Sequence, residues 1–167
     1  MSAPADYPIV YAAYRQRVSL SASVCELIHS HRQIEAEMPE AFGVLVGSTS
    51  VDKKERWVDL ATSPMVGDSQ SRFHFSLEDP GHQRVVDEAY ATSAGSQIYL
   101  GTWHTHPEAC PKPSGIDKAD WRQCIMRNEQ RPLLFVIVGI NETAVFVPSG
   151  GAFRRLTNCQ DDHEYGC

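Results

Sequence analysis

Two histidines, His104 and His106, stand two residues apart, and Asp117 follows eleven positions after the second. Imidazole nitrogens and a carboxylate oxygen are donors that a zinc ion takes. A catalytic zinc uses three protein ligands and keeps a fourth position for water. Side chains two apart on a strand point to one face, so a strand ending at this pair presents both imidazoles to one ion. Residues 97–105 read as that strand, and residues 115–129 read as a helix with Asp117 in its first turn. The intervening loop contains Pro107, Pro111 and Pro113, whose fixed φ angles stiffen the return of the chain to the strand end. A hydrolytic metal site also needs a proton acceptor beside the metal. Glu40, between a helix and the apolar strand 42–47, is the candidate, although composition alone favours a solvated loop glutamate.

Each piece alone has a plainer reading. A His-x-His on a strand is more often surface polar chemistry than a metal site. Ser114-x-x-Asp117 also reads as a helix N-cap with an acidic residue at N3, and both roles can hold together. His106-Pro107-Glu108 is similar to the H-x-E of zinc deaminases, but the Pro-Cys-x-x-Cys of that signature is absent. His29 and His31 fall on a predicted helix about 200° apart around its axis, so they do not converge. With His74, His82 and His163 they are read as structural or surface residues.

The elements that must position these groups follow from apolar patterning and turn formers. Strands are expected at 7–14, 18–20, 42–47, 57–61, 73–77, 97–105, 133–140, 143–147 and 152–156. Helices are expected at 22–37, 81–93 and 115–129. Ser21 is read as an N-cap, Pro39 as a stop, and Asp79-Pro80 as an N-cap followed by proline at the first helical position. Residues 63–71 read as a loop, and the polar tail from about 157 as mobile. This order predicts an α/β or α+β fold, one mixed β-sheet flanked by helices, as a single domain over residues 1–167.

Composition narrows the function classes. The 167 residues are 42% hydrophobic and 22% charged, the usage of one ordinary soluble domain. A net charge of −6 argues against a nucleic-acid binder. The longest apolar run, 133–140, is too short to cross a membrane. Five cysteines, with no C-x-x-C pair and no leader pattern at the start, point to free thiols in a reducing cytoplasm.

Taken jointly, Glu40-x-x-Gly43-x-Leu45-x-Gly47, His104-x-His106-Pro107 and Ser114-x-x-Asp117 resemble the signature of the JAMM (JAB1/MPN/Mov34) metalloproteases. Seven residues separate His106 from Ser114, as that motif requires. The resemblance covers most of the chain and implies a JAB/MPN-like sheet. It implies Zn2+ held by His104, His106 and Asp117. It makes Glu40 the residue that handles the proton of the attacking water, and Ser114 the donor to the developing oxyanion. The chain departs from the family at Phe42, where glycine or cysteine is usual before Gly43; this is read as a change of packing.

A narrower resemblance runs through Tyr99-Leu100-Gly101-Thr102-Trp103-His104-Thr105-His106-Pro107-Glu108, Pro111-x-Pro113, Trp121 and Ser71-Arg72-x-x-Phe75. It is to compact prokaryotic JAB deconjugases of anti-phage operons, CBASS or Bil. It implies an isopeptidase that cuts after the C-terminal residue of a ubiquitin-like protein or of a conjugated cGAS-like nucleotidyltransferase. Operon E1-like and E2-like proteins are the implied associates. By analogy, loop 63–77 would help hold the modifier tail by strand addition. Two alternatives stay open: a JAB peptidase trimming a sulfur-carrier or ubiquitin-like precursor, and a metal-free MPN scaffold. Cys110, in the loop beside the expected ligands, is read as a bystander.

Overall fold

The most apolar segments of the chain form the middle of one sheet. The computed structural model describes residues 6–35, 37–70 and 75–160. In chain order its elements are β1 (Ile9–Ala13), β2 (Gln16–Leu20), α1 (Ala22–Ser30), β3 (Phe42–Thr49), β4 (Glu55–Ala61), β5 (Ser69–Gln70), β6 (Phe75–Ser76), α2 (Pro80–Thr92), β7 (Ile98–Thr105), α3 (Gly115–Arg127), β8 (Leu134–Val138), β9 (Thr143–Ser149), β10 (Ala152–Arg155) and β11 (Thr157–Asn158). Nine strands make one sheet in the order β10-β9-β8-β7-β3-β4-β2-β1-β11, and β5 and β6 pair separately. The pairings β7–β8 and β2–β4 are parallel. The others in the large sheet are antiparallel. The fold is the expected mixed α+β sheet.

Side-chain alternation divides the core between two faces. On one face Leu20, Leu45, Leu100, Trp103 and Val136 pack with Val24 and Ile28 of α1. On the other, Phe135, Ile137 and Phe146 pack with Trp121 of α3, while Val44 and Val46 meet Ala89 of α2. All five residues of β8 are buried, as a central strand covered on both faces requires. The expected caps are present: Ser21 accepts from Val24 N, and Asp79 accepts from Gly81 N with Pro80 at the first helical position.

Three expectations are corrected. Helix α1 stops at Ser30, well short of residue 37, because the chain beyond it is recruited elsewhere. Gln33 turns inward to Met38 and Thr105, and Ile34, expected on the apolar stripe, is 68% exposed. Residues 69–70 and 75–76 form a small ladder where a loop and a longer strand were expected; residues 71–74, including Ser71 and Arg72, lie outside the described residues. The chain at Thr157–Asn158 is not a loose tail: it pairs with β1, and Cys159 N donates to Val10 O.

Candidate metal centre

The topology brings distant residues together. Strand β7 runs antiparallel to β3 with His104 opposite Phe42, so the start of β3 lies beside the end of β7. The ladder continues past both strands: Thr105 N donates to Ala41 O, and His106 N donates to Val138 O at the end of β8. Glu40 therefore arrives at the level of His106. The loop after His106 is held against the β8–β9 turn, where Ile140 N donates to Glu108 O and Asn141 N to Ala109 O. That anchorage returns the chain to the strand ends, where α3 begins.

Helix α3 opens with a capping box. Ser114 Oγ accepts from Asp117 N at 3.1 Å, and Ser114 N donates to an Asp117 carboxylate oxygen at 2.6 Å. The cap holds the Asp117 carboxylate over the sheet, where it spans both imidazoles. Asp117 Oδ1 lies 3.2 Å from His104 Nε2, and Oδ2 lies 3.4 Å from His106 Nε2. The two Nε2 atoms are 3.1 Å apart. Glu40 Oε1 lies 3.6 Å from His106 Nε2. Glu40, His104 and His106 also offer ligand atoms all within 4.8 Å of one another, so both carboxylates stand at the imidazole pair. Asp117 meets both rings and sits nearer.

These separations suit a metal. Bonds of about 2.0–2.1 Å in a tetrahedron put neighbouring ligand atoms about 3.3–3.4 Å apart. Two imidazole nitrogens and a carboxylate at 3.1–3.4 Å match that edge. Four groups that can each present a lone pair converge here, and such a donor set suits a cation.

Electrostatics separates the two carboxyls. Burial by itself would raise Asp117, but the hydrogen bonds of His104 and His106 outweigh it and hold the carboxyl well below its usual range. Glu40 is pushed up to about 7, chiefly by burial, with His106 opposing and Asp117 adding to the rise. Burial lowers His104 despite Asp117. Burial also works against His106⁺, but the Asp117 hydrogen bond and the charges of Asp117, Glu40 and Glu108 leave it raised.

Aromatic rings wall the site. Phe42 stacks on Phe75 at 4.6 Å, and Phe75 lies 5.2 Å from the ring of His104. Trp121 lies 6.4 Å from the ring of His104 and stacks on Phe135. His104 Nδ1 has no hydrogen-bond partner among the described residues. Beside Asp117 opens a cleft of about 370 Å³, lined in part by Phe75, Leu77, Tyr99, Trp121 and Arg127.

The structure thus gathers every expected site residue: Glu40, His104, His106 and Asp117 at one point, with Ser114 exposed at the rim. The sequence reading missed Phe75 as a neighbour of His104 and Gln33 as a neighbour of Thr105. Nothing in the local pattern marks either contact. The remaining histidines lie elsewhere: His29 meets Thr143, His31 faces Trp103, and His82 bonds Thr62 and Asp68; His74 and His163 lie outside the described residues. Cys25, Cys124 and Cys159 are free, as expected. Cys110 is disulfide-bonded, which corrects the expectation of free thiols throughout. Among the described residues no helix is long and apolar enough to cross a membrane.

Comparisons with known proteins give the class to which this mixed sheet, with its His-x-His strand end and capped aspartate, belongs. Residues 21–150 match the family described as prokaryotic homologues of the JAB domain. A CD-NTase/cGAS isopeptidase of Pseudomonas aeruginosa is 36% identical over 139 residues, 82% of this chain and 87% of that protein. One of Vibrio cholerae is 37% identical over 119 residues, 71% of this chain and 75% of that protein. The solution structure of a protein from Desulfitobacterium hafniense superimposes with a TM-score of 0.57 at 26% identity, covering 83% of this chain and 88% of the other. The chain belongs to the family of prokaryotic homologues of the JAB domain, and it is a hydrolase.

Proposed function

We propose that the protein is a zinc metallo-isopeptidase that releases a conjugated cGAS-like nucleotidyltransferase, or a ubiquitin-like modifier, from its target in bacterial antiviral defence. The observation that carries the chemistry is the meeting of His104, His106 and Asp117 at tetrahedral-edge distances with a second carboxylate, Glu40, at 3.6 Å. His104, His106 and Asp117 would hold the ion, and an N₂O donor set suits zinc. When bound, zinc supplies Lewis acidity to the attacking water and the scissile carbonyl. Glu40 approaches His106 at 3.6 Å, while Asp117 meets both rings more closely, at 3.2 and 3.4 Å, so Glu40 suits proton transfer better than ligation.

Hydrolysis adds water across the C–N bond. Glu40 takes the proton of the water as its oxygen attacks the carbonyl carbon, and passes it to the departing amine as that bond breaks. Ser114 Oγ already accepts from Asp117 N, which leaves its hydroxyl proton to donate to the developing oxyanion. The cleft beside Asp117, apolar at Phe75, Leu77 and Trp121, would take an extended C-terminal tail. The names of the relatives from P. aeruginosa and V. cholerae support the nucleotidyltransferase as cargo. Conjugation by E1-like and E2-like proteins would supply the substrate, and the reaction would take place in the cytoplasm.

The test is incubation with candidate conjugates, with and without a zinc chelator, followed by mass spectrometry of the product termini. Cleavage after the modifier's last residue, lost on chelation and restored by zinc, is expected. Glu40→Ala should keep zinc and lose cleavage; a variant that cuts as fast as the wild type would overturn the role of Glu40. A sulfur-carrier precursor with residues beyond its terminal glycine, included in the same series, tests the trimming alternative. Protein purified without zinc, and unable to bind it, would favour the scaffold.

A further inference from the structure

Glu40 lies between α1 and β3 and belongs to neither, so no helix or strand holds its carboxylate in place. Long-range hydrogen bonds do. Thr105 stands between the two histidines, and strand alternation turns its side chain away from theirs, to the face covered by α1. There it is fully buried, with 0% exposure. Its hydroxyl accepts from Ala41 N at 2.9 Å and donates to Gln33 Oε1 at 2.9 Å. Gln33, also buried, donates from Nε2 to Met38 O at 2.8 Å. Thr105 N donates to Ala41 O at 2.9 Å. The backbone is thus tied on both sides of Glu40, at Met38 and at Ala41, to the residue that separates His104 from His106.

We infer that Gln33 and Thr105 are positioning residues that set Glu40 against the imidazole pair, so that one side-chain relay couples the proton acceptor to the ligand strand. This rests on the reading of Glu40 as that acceptor. Neither side chain is among the residues lining the cleft or converging on the imidazole pair. The relay acts through the polar atoms alone. Thr105→Val keeps the shape, yet strands Ala41 N and Gln33 Oε1 without partners. The backbone bond from Thr105 N survives that change, so the strand end and its histidines stay in place while the Glu40 segment loosens. A misplacement of about 1 Å in a reacting group costs about 100-fold in rate.

The test uses a fusion of a nucleotidyltransferase C-terminal tail to a reporter protein. Thr105→Val should lower kcat about 10- to 100-fold, with KM within about twofold and zinc still stoichiometric. Thr105→Ser keeps the hydroxyl and should retain most of the activity. Gln33→Leu, outside both strands, should reproduce the loss and provides a second variant if Thr105→Val folds poorly. In a Glu40→Ala background, Thr105→Val should lower the residual rate no further, because the relay acts only through that carboxylate. Full activity in both Thr105→Val and Gln33→Leu overturns the inference, as does loss of zinc or an additional loss in the Glu40→Ala background. Failure of the underlying reading shows differently: Glu40→Ala itself would remain active.

Discussion

The Asp117 carboxylate reaches His104 through one oxygen, at 3.2 Å, while the cap at its own helix start ties it to Ser114 through the other. A single side chain therefore both starts α3 and closes the imidazole pair. The cap and the contact with the imidazole pair are one arrangement, so under the proposed function changes at this helix start should touch stability and metal together.

His104→Ala and Asp117→Ala should each leave less than stoichiometric zinc after dialysis. Asp117→Ala should in addition lose about 1 kcal/mol of stability, because the acceptor for Ser114 N disappears. Elemental analysis with urea unfolding measures both effects. Full zinc in either variant would remove that residue from the ligand set.

Ser114→Ala separates two roles. Loss of the cap alone costs about 1 kcal/mol and leaves kcat intact. Loss of an oxyanion donor lowers kcat about 100-fold or more. Both losses are expected, with zinc retained, since the hydroxyl accepts from Asp117 N and still has a proton to give. Steady-state kinetics beside denaturant unfolding checks this; an unchanged kcat leaves Ser114 as a cap only.

Asp68 is the hub of the segment that leads to β6 and α2. Its carboxylate accepts from Met65 N, Glu78 N, Asp79 N and His82 Nε2, and His82 in turn meets Thr62. Burial would raise Asp68, but the bonds from Asp79, His82 and Met65 outweigh it and hold the carboxyl below its ordinary value of 3.8. A folded value below the unfolded one gives stability that is present above pH 3.8 and lost as pH falls through the folded value. Asp68→Asn has one acceptor oxygen where there were two and should cost about 1–3 kcal/mol at pH 7. The gap from the wild type should narrow as the solution is acidified below about pH 4. Urea unfolding across pH reads the difference, and a gap independent of pH would refute the assignment.

Gly43 has no room for a side chain. A Cβ there would fall 1.9 Å from Thr62 O and 2.7 Å from Trp103 Nε1, the two atoms that bond each other at 2.9 Å. Gly43→Ala must push β3 from its neighbours and should cost about 3 kcal/mol or more. Thermal unfolding measures it; a variant as stable as the wild type would show that the approach is not close.

Much of the centre was legible because it is local. Two histidines on one strand face, and a serine three residues before an aspartate, are short-range patterns with definite geometry. Gly81 to Thr92 and the caps at Ser21 and Asp79 followed from the same local rules. Phe42 needed the structure: its ring fills the space beneath Phe75 and so supports a ring against His104.

The sequence by itself marked the residues that could carry chemistry, since donor type and spacing are properties of the chain. Tertiary structure alone decided where Glu40 stands and why α1 ends at Ser30. Helical periodicity favoured continuing through Gln33, but a buried amide must find partners, and Gln33 finds them at Met38 and Thr105. It likewise decided that β2 lies parallel to β4 and that Thr157–Asn158 closes the sheet edge on β1. Such pairings are set by hydrogen bonds between residues far apart in the chain, and no local pattern records them.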